Sequence, residues 1–168
     1  CSSDLGTNNA SVTDTNGLTL GTLAIGQDLT VNSTGALSLG QGSIGRNLVA
    51  NSNGGAITQD TTSGNFITVG GTASITAGNN SITLNQSGNN FTGAVSLSNS
   101  GTNNASVTDT NGLTLGTLAI GQDLTVNSTG ALNLGQGSIG RNLVANSNGG
   151  AITQDTTSGN FKIGRAHV

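Results

Sequence analysis

The amino-acid sequence predicts an all-β chain wound as a right-handed parallel β-helix of short strands, with roughly 19–20 residues to each rung. Three observations lead there. Apolar and polar residues alternate in runs of only a few residues. Gly- and Asn-rich turn sequences separate those runs at near-regular intervals. Blocks of the chain also recur, at one short offset and at one long one.

Composition sets the frame. Only 32% of residues are apolar and 7% charged, with 28 Gly and no Pro, Trp or Tyr. An ordinary globular domain has roughly half its residues apolar and a quarter charged, so one thick core is poorly supplied. The low charge also separates this chain from highly charged disordered sequences. A thin apolar strip buried unit against unit suits such a composition better. A net charge of −3 and a pI near 4.5 disfavour nucleic acid as a partner, since phosphate binding needs clustered Lys or Arg. No run approaches the roughly 18 apolar residues that cross a bilayer, so no membrane insertion is expected. Cys1–Leu5 has neither the basic start nor the apolar stretch of a signal peptide.

The long repeat is nearly perfect. Gly6–Phe66 recurs as Gly101–Phe161, 95 residues on, and the one difference is Ser38 against Asn133. The identity then breaks off: Phe66 leads into Ile67-Thr68-Val69, Phe161 into Lys162-Ile163-Gly164. Back-translation gives a reason. Cys1–Leu5 can be written TGC TCT TCC GAT CTN, and Lys162–Ala166 can be written AAG ATC GGA AGA GCA. One is contained in the reverse complement of the other, and both resemble a common sequencing-library adapter whose continuation encodes His167-Val168. Residues 1–5 and 162–168 are therefore expected to be adapter-derived, and residues 6–161 to be the repeat fragment proper. The only Cys, His and Lys all fall in those ends, so the repeat itself offers no disulfide.

Within the unit, the elements follow in order. Leu18-Thr19-Leu20 is the first in–out–in run. Ile25–Ser33 (IGQDLTVNS) then aligns with Ile44–Ser52 (IGRNLVANS) at an offset of 19. Between them Ala36-Leu37-Ser38-Leu39 alternates in the same way. Phe66–Val69, Ser74–Ala77, Ser81–Leu84 and Ala94–Leu97 continue the pattern. Alternation of this kind marks strands with one buried face. The intervening Asn-Gly, Ser-Thr-Gly, Asn-Gly-Gly and Gly-Asn-Asn sequences favour turns, because Gly and Asn tolerate positive φ. No stretch sustains helical periodicity. A sandwich could also use many short strands, but near-copies at 19 residues favour a coil in which each copy supplies one rung of about three strands. Leu29 should then stack on Leu48, and Asn32 on Asn51, at the ~4.8 Å spacing of paired strands. Asn columns of that kind can hydrogen-bond along the stack.

Asn90–Leu97 (NFTGAVSL), Ala105–Gly116 (ASVTDTNGLTLG) and Asn146–Gln154 (NSNGGAITQ) resemble filamentous-haemagglutinin-like exoproteins. The resemblance covers residues 6–161 and rests on degenerate motifs. It implies a right-handed β-helix, secretion by a two-partner or autotransporter route through an outer-membrane transporter, and adhesion at the bacterial cell surface to host-cell or surface glycans and proteins. The expected function is thus a structural and adhesive stalk segment. A fragment of a β-helical carbohydrate-active enzyme and a non-adhesive surface-layer or biofilm matrix protein are the alternatives.

No catalytic, cofactor-binding or metal-binding residue is assigned. Asp14, Asp28 and Asp60, with copies Asp109, Asp123 and Asp155, are the carboxylates of the repeat. A pectate-lyase-like site would cluster such residues for calcium and set a base beside them. Here they are isolated in sequence, and turn or ladder-end roles are expected. Gly70-Gly71-Thr72-Ala73-Ser74 lacks the Asp of a calcium-binding nonapeptide. Arg46 takes the rung position of Gln27, beside the Asp28/Asn47 column, and an exposed inter-rung pair is expected for it and for Arg141. Thr19, Thr30, Thr76 and Thr83 point outward singly, as β-propensity alone explains, and lack the paired columns of ice-binding coils. Seven Asn-x-Ser/Thr sequons begin at Asn9, Asn32, Asn79, Asn85, Asn90, Asn104 and Asn127, at the frequency such a composition produces. With no His in the repeat, a nucleophile–His–Asp set cannot form.

Sequencing a genomic clone of the locus tests the reading of the ends. A Ser before Gly6 and an Ile-Thr-Val continuation after Phe161 are expected, whereas genomic Cys-Ser-Ser-Asp-Leu would refute it.

Overall fold

The computed structural model describes residues 3–4, 7–156 and 161–164. It is a right-handed β-solenoid of about 8 turns, all-β, with no helix among the described residues. Every strand pairing among the described residues is parallel, and most strands away from the two ends are bonded to the one a turn before and the one a turn after. Cys1, Arg165 and His167 of the terminal segments lie outside the described residues.

Three faces make up the coil. The first carries Thr22–Ile25, Gln41–Ile44, Ile67–Val69 and Asn90–Phe91. The second carries Ala10–Asp14, Leu29–Ser33, Leu48–Asn51, Ala73–Gly78 and Val95–Asn99. The third carries Leu18–Thr19, Leu37–Ser38, Ile57–Thr58, Ile82–Leu84, Ala105–Asp109, Leu124–Ser128 and Leu143–Asn146. Leu113–Ile120 turns a corner and serves two faces: Leu113 and Thr114 pair with Leu132 and Asn133, and Thr117–Ile120 pairs with Gln136–Ile139. Ser3–Asp4 and Lys162–Ile163 are short strands on the outermost turns.

Because side chains alternate along a strand and strands stack in register, each inward position becomes a column. Leu29 pairs with Leu48 and Asn32 with Asn51, as the 19-residue offset predicts. The Leu29–Leu48 column runs on through Ala73 to Val95, and Val31–Ala50–Ile75–Leu97 runs beside it. On the third face Leu37, Ile57, Ile82, Ala105 and Leu124 stack in the same way. All but the ends of these columns are buried, and they merge into one apolar core along the axis. Phe91 is the largest fully buried side chain.

The rung length is less regular than the short offset implies. Leu29 to Leu48 is a turn of 19 residues. The next turn, Leu48 to Ala73, takes 25, and Ala73 to Val95 takes 22. The largest excess sits in one corner, between Ile57–Thr58 and Ile67–Val69, so the strands on either side keep their register. Insertion at a corner leaves the in–out pattern intact, whereas one extra residue inside a strand would turn its apolar set outward.

The long repeat behaves differently from the short one. Ala10–Asp14 lies on the second face and its copy Ala105–Asp109 on the third. Stepping strand by strand from one to the other takes thirteen steps, four turns of three and one strand more. Each 95-residue unit therefore advances the coil by four and one-third turns.

Gly42 shows how tightly the turns approach. It sits at φ 115° within its strand, opposite Leu23, and a Cβ there would lie 2.1 Å from the Leu23 carbonyl oxygen. Only glycine fits such a position. Its copy Gly137 repeats the arrangement against Leu118.

The core columns should dominate stability. Leu29→Asp or Leu48→Asp places a carboxylate in a buried column and is expected to cost more than about 4 kcal/mol. Thr30→Asp, on the outer side of the same strand, should cost within about 1 kcal/mol. Thermal melts followed by circular dichroism check this, and equal losses from Leu29→Asp and Thr30→Asp would contradict the stacked-column arrangement.

Candidate functional site

Outward side chains form columns of their own, and on the third face they line a trough. Thr83, Ser106, Thr125 and Val144 stand in register along its floor. Asn104, Asp123 and Asn142 form one wall, and the open trough has a volume of about 490 Å³. A smaller trough of about 230 Å³ lies on the second face, floored by Ser74, Ser96, Thr76, Ser98 and Ala119. Each floor mixes hydroxyls with small apolar groups.

The wall is a hydrogen-bonded ladder. Asp123 N donates to Asn104 Oδ1 at 3.1 Å, and Asn142 N and Nδ2 both donate to Asp123 Oδ1, at 3.1 and 3.0 Å. The first copy of the unit builds the same ladder one face earlier. There Asp28 N donates to Asn9 Oδ1 at 3.1 Å, and Asn47 N and Nδ2 to Asp28 Oδ1 at 3.0 Å. Thr72 N and Oγ1 then continue it onto Asn47 Oδ1, each at 2.9 Å. The corner N–H of each rung, which has no strand partner, is satisfied by a side-chain oxygen of the rung before. Asn32 and Asn51 are aligned but half-exposed, and Asn51 Oδ1 accepts Asn53 N within its own turn instead of reaching along the column. The bonded ladder thus lies at the neighbouring corner.

Arg46 and Arg141 take exposed inter-rung partners, as their rung positions predict. Arg46 Nη1 donates to Gln27 Oε1 at 3.2 Å, and Arg141 Nε lies 3.6 Å from Asp123 Oδ1. Pairs this exposed contribute less than about 1 kcal/mol. Thr19, Thr30, Thr76 and Thr83 pair with Ser38, Val49, Asn51 and Ser106 in columns of mixed composition, and on the second face two outward columns, Val49–Ser74–Ser96 and Asn51–Thr76–Ser98, run side by side. Of the sequon residues, Asn9 and Asn104 belong to the ladders, Asn79 Oδ1 accepts Asn103 Nδ2 at 2.9 Å, and Asn85 is exposed.

The carboxylates disperse. Asp28 and Asp123 hold ladders, while Asp14 Oδ1 accepts the N–H of Asn16 at 2.6 Å. Asp60 closes a corner loop, accepting Thr62 N at 2.8 Å and Asn65 Nδ2 at 2.7 Å, and those bonds hold its carboxyl below the usual range. Asp155 is partly exposed. Among the described residues no three carboxylate, His or Cys groups converge as a metal site would require.

Asp109 is the exception to a surface role. It is fully buried; its Oδ2 accepts Phe91 N and its Oδ1 accepts Asn111 N, both at 2.6 Å. Burial raises its pKa, and the two N–H bonds oppose that rise without cancelling it. Nearby, Gln59 and Asn89 are buried as a reciprocal amide pair, bonded twice at 2.8 Å. Asn89 further accepts Ile67 N at 3.0 Å and donates to the Leu84 carbonyl at 3.2 Å. The turn or ladder-end role expected of Asp109 fits its place at the end of Ala105–Asp109 and its bond from Asn111 N; its burial was not anticipated, and Gln59 and Asn89 were passed over. The pair lies 30 residues apart across the enlarged turns, where the short offset no longer indicates who stacks on whom.

A family described as repeats of unknown function (DUF5649) matches residues 7–38, 26–98, 102–133 and 121–166. Comparison with curated proteins and with solved structures gave no match.

Asp109→Asn puts an amide nitrogen against one of two buried N–H groups and should cost about 1–3 kcal/mol. Asp14→Asn, where a single N–H is held, should cost less than half as much. The pH dependence has a defined sign. A raised folded pKa means that the folded chain keeps the Asp109 proton above pH 3.8, where the unfolded chain loses it. Its contribution is therefore fullest below that value and declines as pH rises through the folded pKa. Chemical denaturation of wild type and Asp109→Asn between pH 3 and 7 should show the gap narrowing with pH. A gap that widens would reverse the assignment.

Proposed function

Starting from a chain that belongs to the DUF5649 family of repeats of unknown function, we propose that it is a stalk segment of a large secreted bacterial surface adhesin. What supports the reading most is the continuous core between the two near-identical copies: Ile57, Ile82, Ala105 and Leu124 stack without a gap from the first copy, through residues 67–100, into the second. Stacking of this kind converts sequence repetition directly into length. A rod gains reach with each added unit, and reach is what a surface stalk needs.

Adhesion is assigned to the outer columns. Val49 and Val144 stand 43% and 56% exposed among Ser, Thr and Asn, a mixture suited to weak contacts repeated many times. Surface glycans or proteins of another cell are the proposed partners, and the bacterial cell surface, reached through an outer-membrane transporter, is the proposed location. Catalysis is not part of the proposal. The carboxylates that a carbohydrate-active site would need are tied into ladders, turns and one buried position. Weak contacts gain avidity when a rod carries several of them.

Beads coated with the folded chain should be retained on cell layers or glycan surfaces above beads coated with the heat-unfolded chain. Equal retention would remove the adhesive part of the proposal. The same preparation should leave uronate-containing polymers intact, and measurable turnover would favour the enzymatic alternative.

A further inference from the structure

The two copies of the repeat form an internal experiment, since identical residues occur once covered and once bare. At the start of the chain Ala10, Val12 and Asp14 are half-buried, while their copies Ala105, Val107 and Asp109 are buried. The copies are covered by Ile82 and Leu84 in register, and Asp109 also holds the N–H of Phe91. At the other end Ile57 is 0% exposed beneath Ile82, whereas its copy Ile152 is 47% exposed. Gln59 is buried against Asn89, whereas Gln154 is exposed. Leu48 is buried beneath Ala73, whereas Leu143 is half-buried.

One stretch does all of this covering. Residues 67–100 lie on Leu48–Thr58 with one side and beneath Ala105–Asp109 with the other. Both bare ends of the chain present the complementary surface to that stretch, residue for residue. We propose that each end is an interface for a further copy of residues 67–100. The occupant is thus a segment of this chain's own sequence, and the proposal does not depend on secretion or adhesion.

The thirteen-strand unit sets how successive copies follow one another. A further unit extends the coil by about 21 Å, four and one-third times the ~4.8 Å spacing of paired strands. It also turns the unit by one face. The ladder of Asn9, Asp28 and Asn47 edges the second face and that of Asn104, Asp123 and Asn142 the third; the next copy falls on the first. Three units complete thirteen turns and restore the starting face. A partner that reads the outward columns meets them around the whole girth of the rod.

The test retains residues 1–161 and joins the sequence of residues 67–161 after Phe161. Amide hydrogen exchange in the unextended chain should be at least tenfold faster at Ile152 and Gln154 than at Ile57 and Gln59. In the extended chain the two pairs should exchange at matching rates. A control extension with the residue 67–100 portion scrambled, at equal length and composition, should leave Ile152 and Gln154 fast. Persistently fast exchange with the native extension, or equal protection by the scrambled one, would overturn the proposal. Spin labels on Thr30→Cys and Thr125→Cys give a second readout: a separation expected of neighbouring faces supports the one-third turn, and that of a single face refutes it.

Discussion

Everything in this molecule depends on the hydrogen bonding of each turn to the next. A parallel coil has no hairpins, so the N–H and C=O groups of a strand find partners only in the turns before and after it. Each turn must therefore bring its strands back to the same azimuth in the same register. Insertions are confined to corners, inward positions must stay apolar, very small or fully hydrogen-bonded, and glycine is required where two turns come closest. Gly42 against Leu23 is the sharpest case, because any side chain there would occupy the space of the bonded carbonyl.

The corners are the weak points of such a design, since backbone there leaves the ladder. Asn, Asp, Ser and Thr, abundant in this chain, meet that need. Asn9, Asp28 and Asn47 carry bonding up one corner, and Ser33 Oγ donates to the Gly35 carbonyl at 2.8 Å in the next. Where the corner grows to admit Thr61–Phe66, the polar residues turn inward: Gln59 and Asn89 satisfy each other and two backbone groups besides. Among the described residues no buried side-chain nitrogen or oxygen lacks a partner. Buried polar groups cost little when fully bonded and a great deal when not, so these amides confine the enlarged corner to one arrangement.

Much of this was legible in the sequence, for an identifiable reason. A 19-residue copy with alternating apolar residues puts Leu29 on Leu48 and Arg46 beside Gln27, because period and register are two expressions of one constraint. The legibility ended where the period changed. Past Ser52 no neighbouring block resembles Ile44–Ser52, so neither the 25-residue turn nor the pairing of Gln59 with Asn89 could be anticipated. The burial of Asp109 went unread for a related reason. Its local sequence is that of Asp14, a turn residue, and what distinguishes the two is the turn that lies beneath. Of the candidate surface, the outward columns could be foreseen; the walls of the trough could not, since they depend on which corner of which turn faces the same way.

The extra strand in each unit has a physical consequence beyond geometry. With twelve strands, every copy would return to the face it left. Val49 and Val144, both outward and exposed, would then share one face and recur along it in every unit. A straight row of exposed apolar residues on a flat parallel sheet invites side-to-side association of rods. With thirteen strands, Val49 lies on the second face and Val144 on the third, so the exposed apolar residues are spread around the axis and separated by Ser, Thr and Asn. The same step takes Asp28 and Asp123 to different corners, which prevents a single charged edge. A sequence copied almost without change thereby avoids the main hazard of repetition, because the coil never presents the same copy twice in succession on one side.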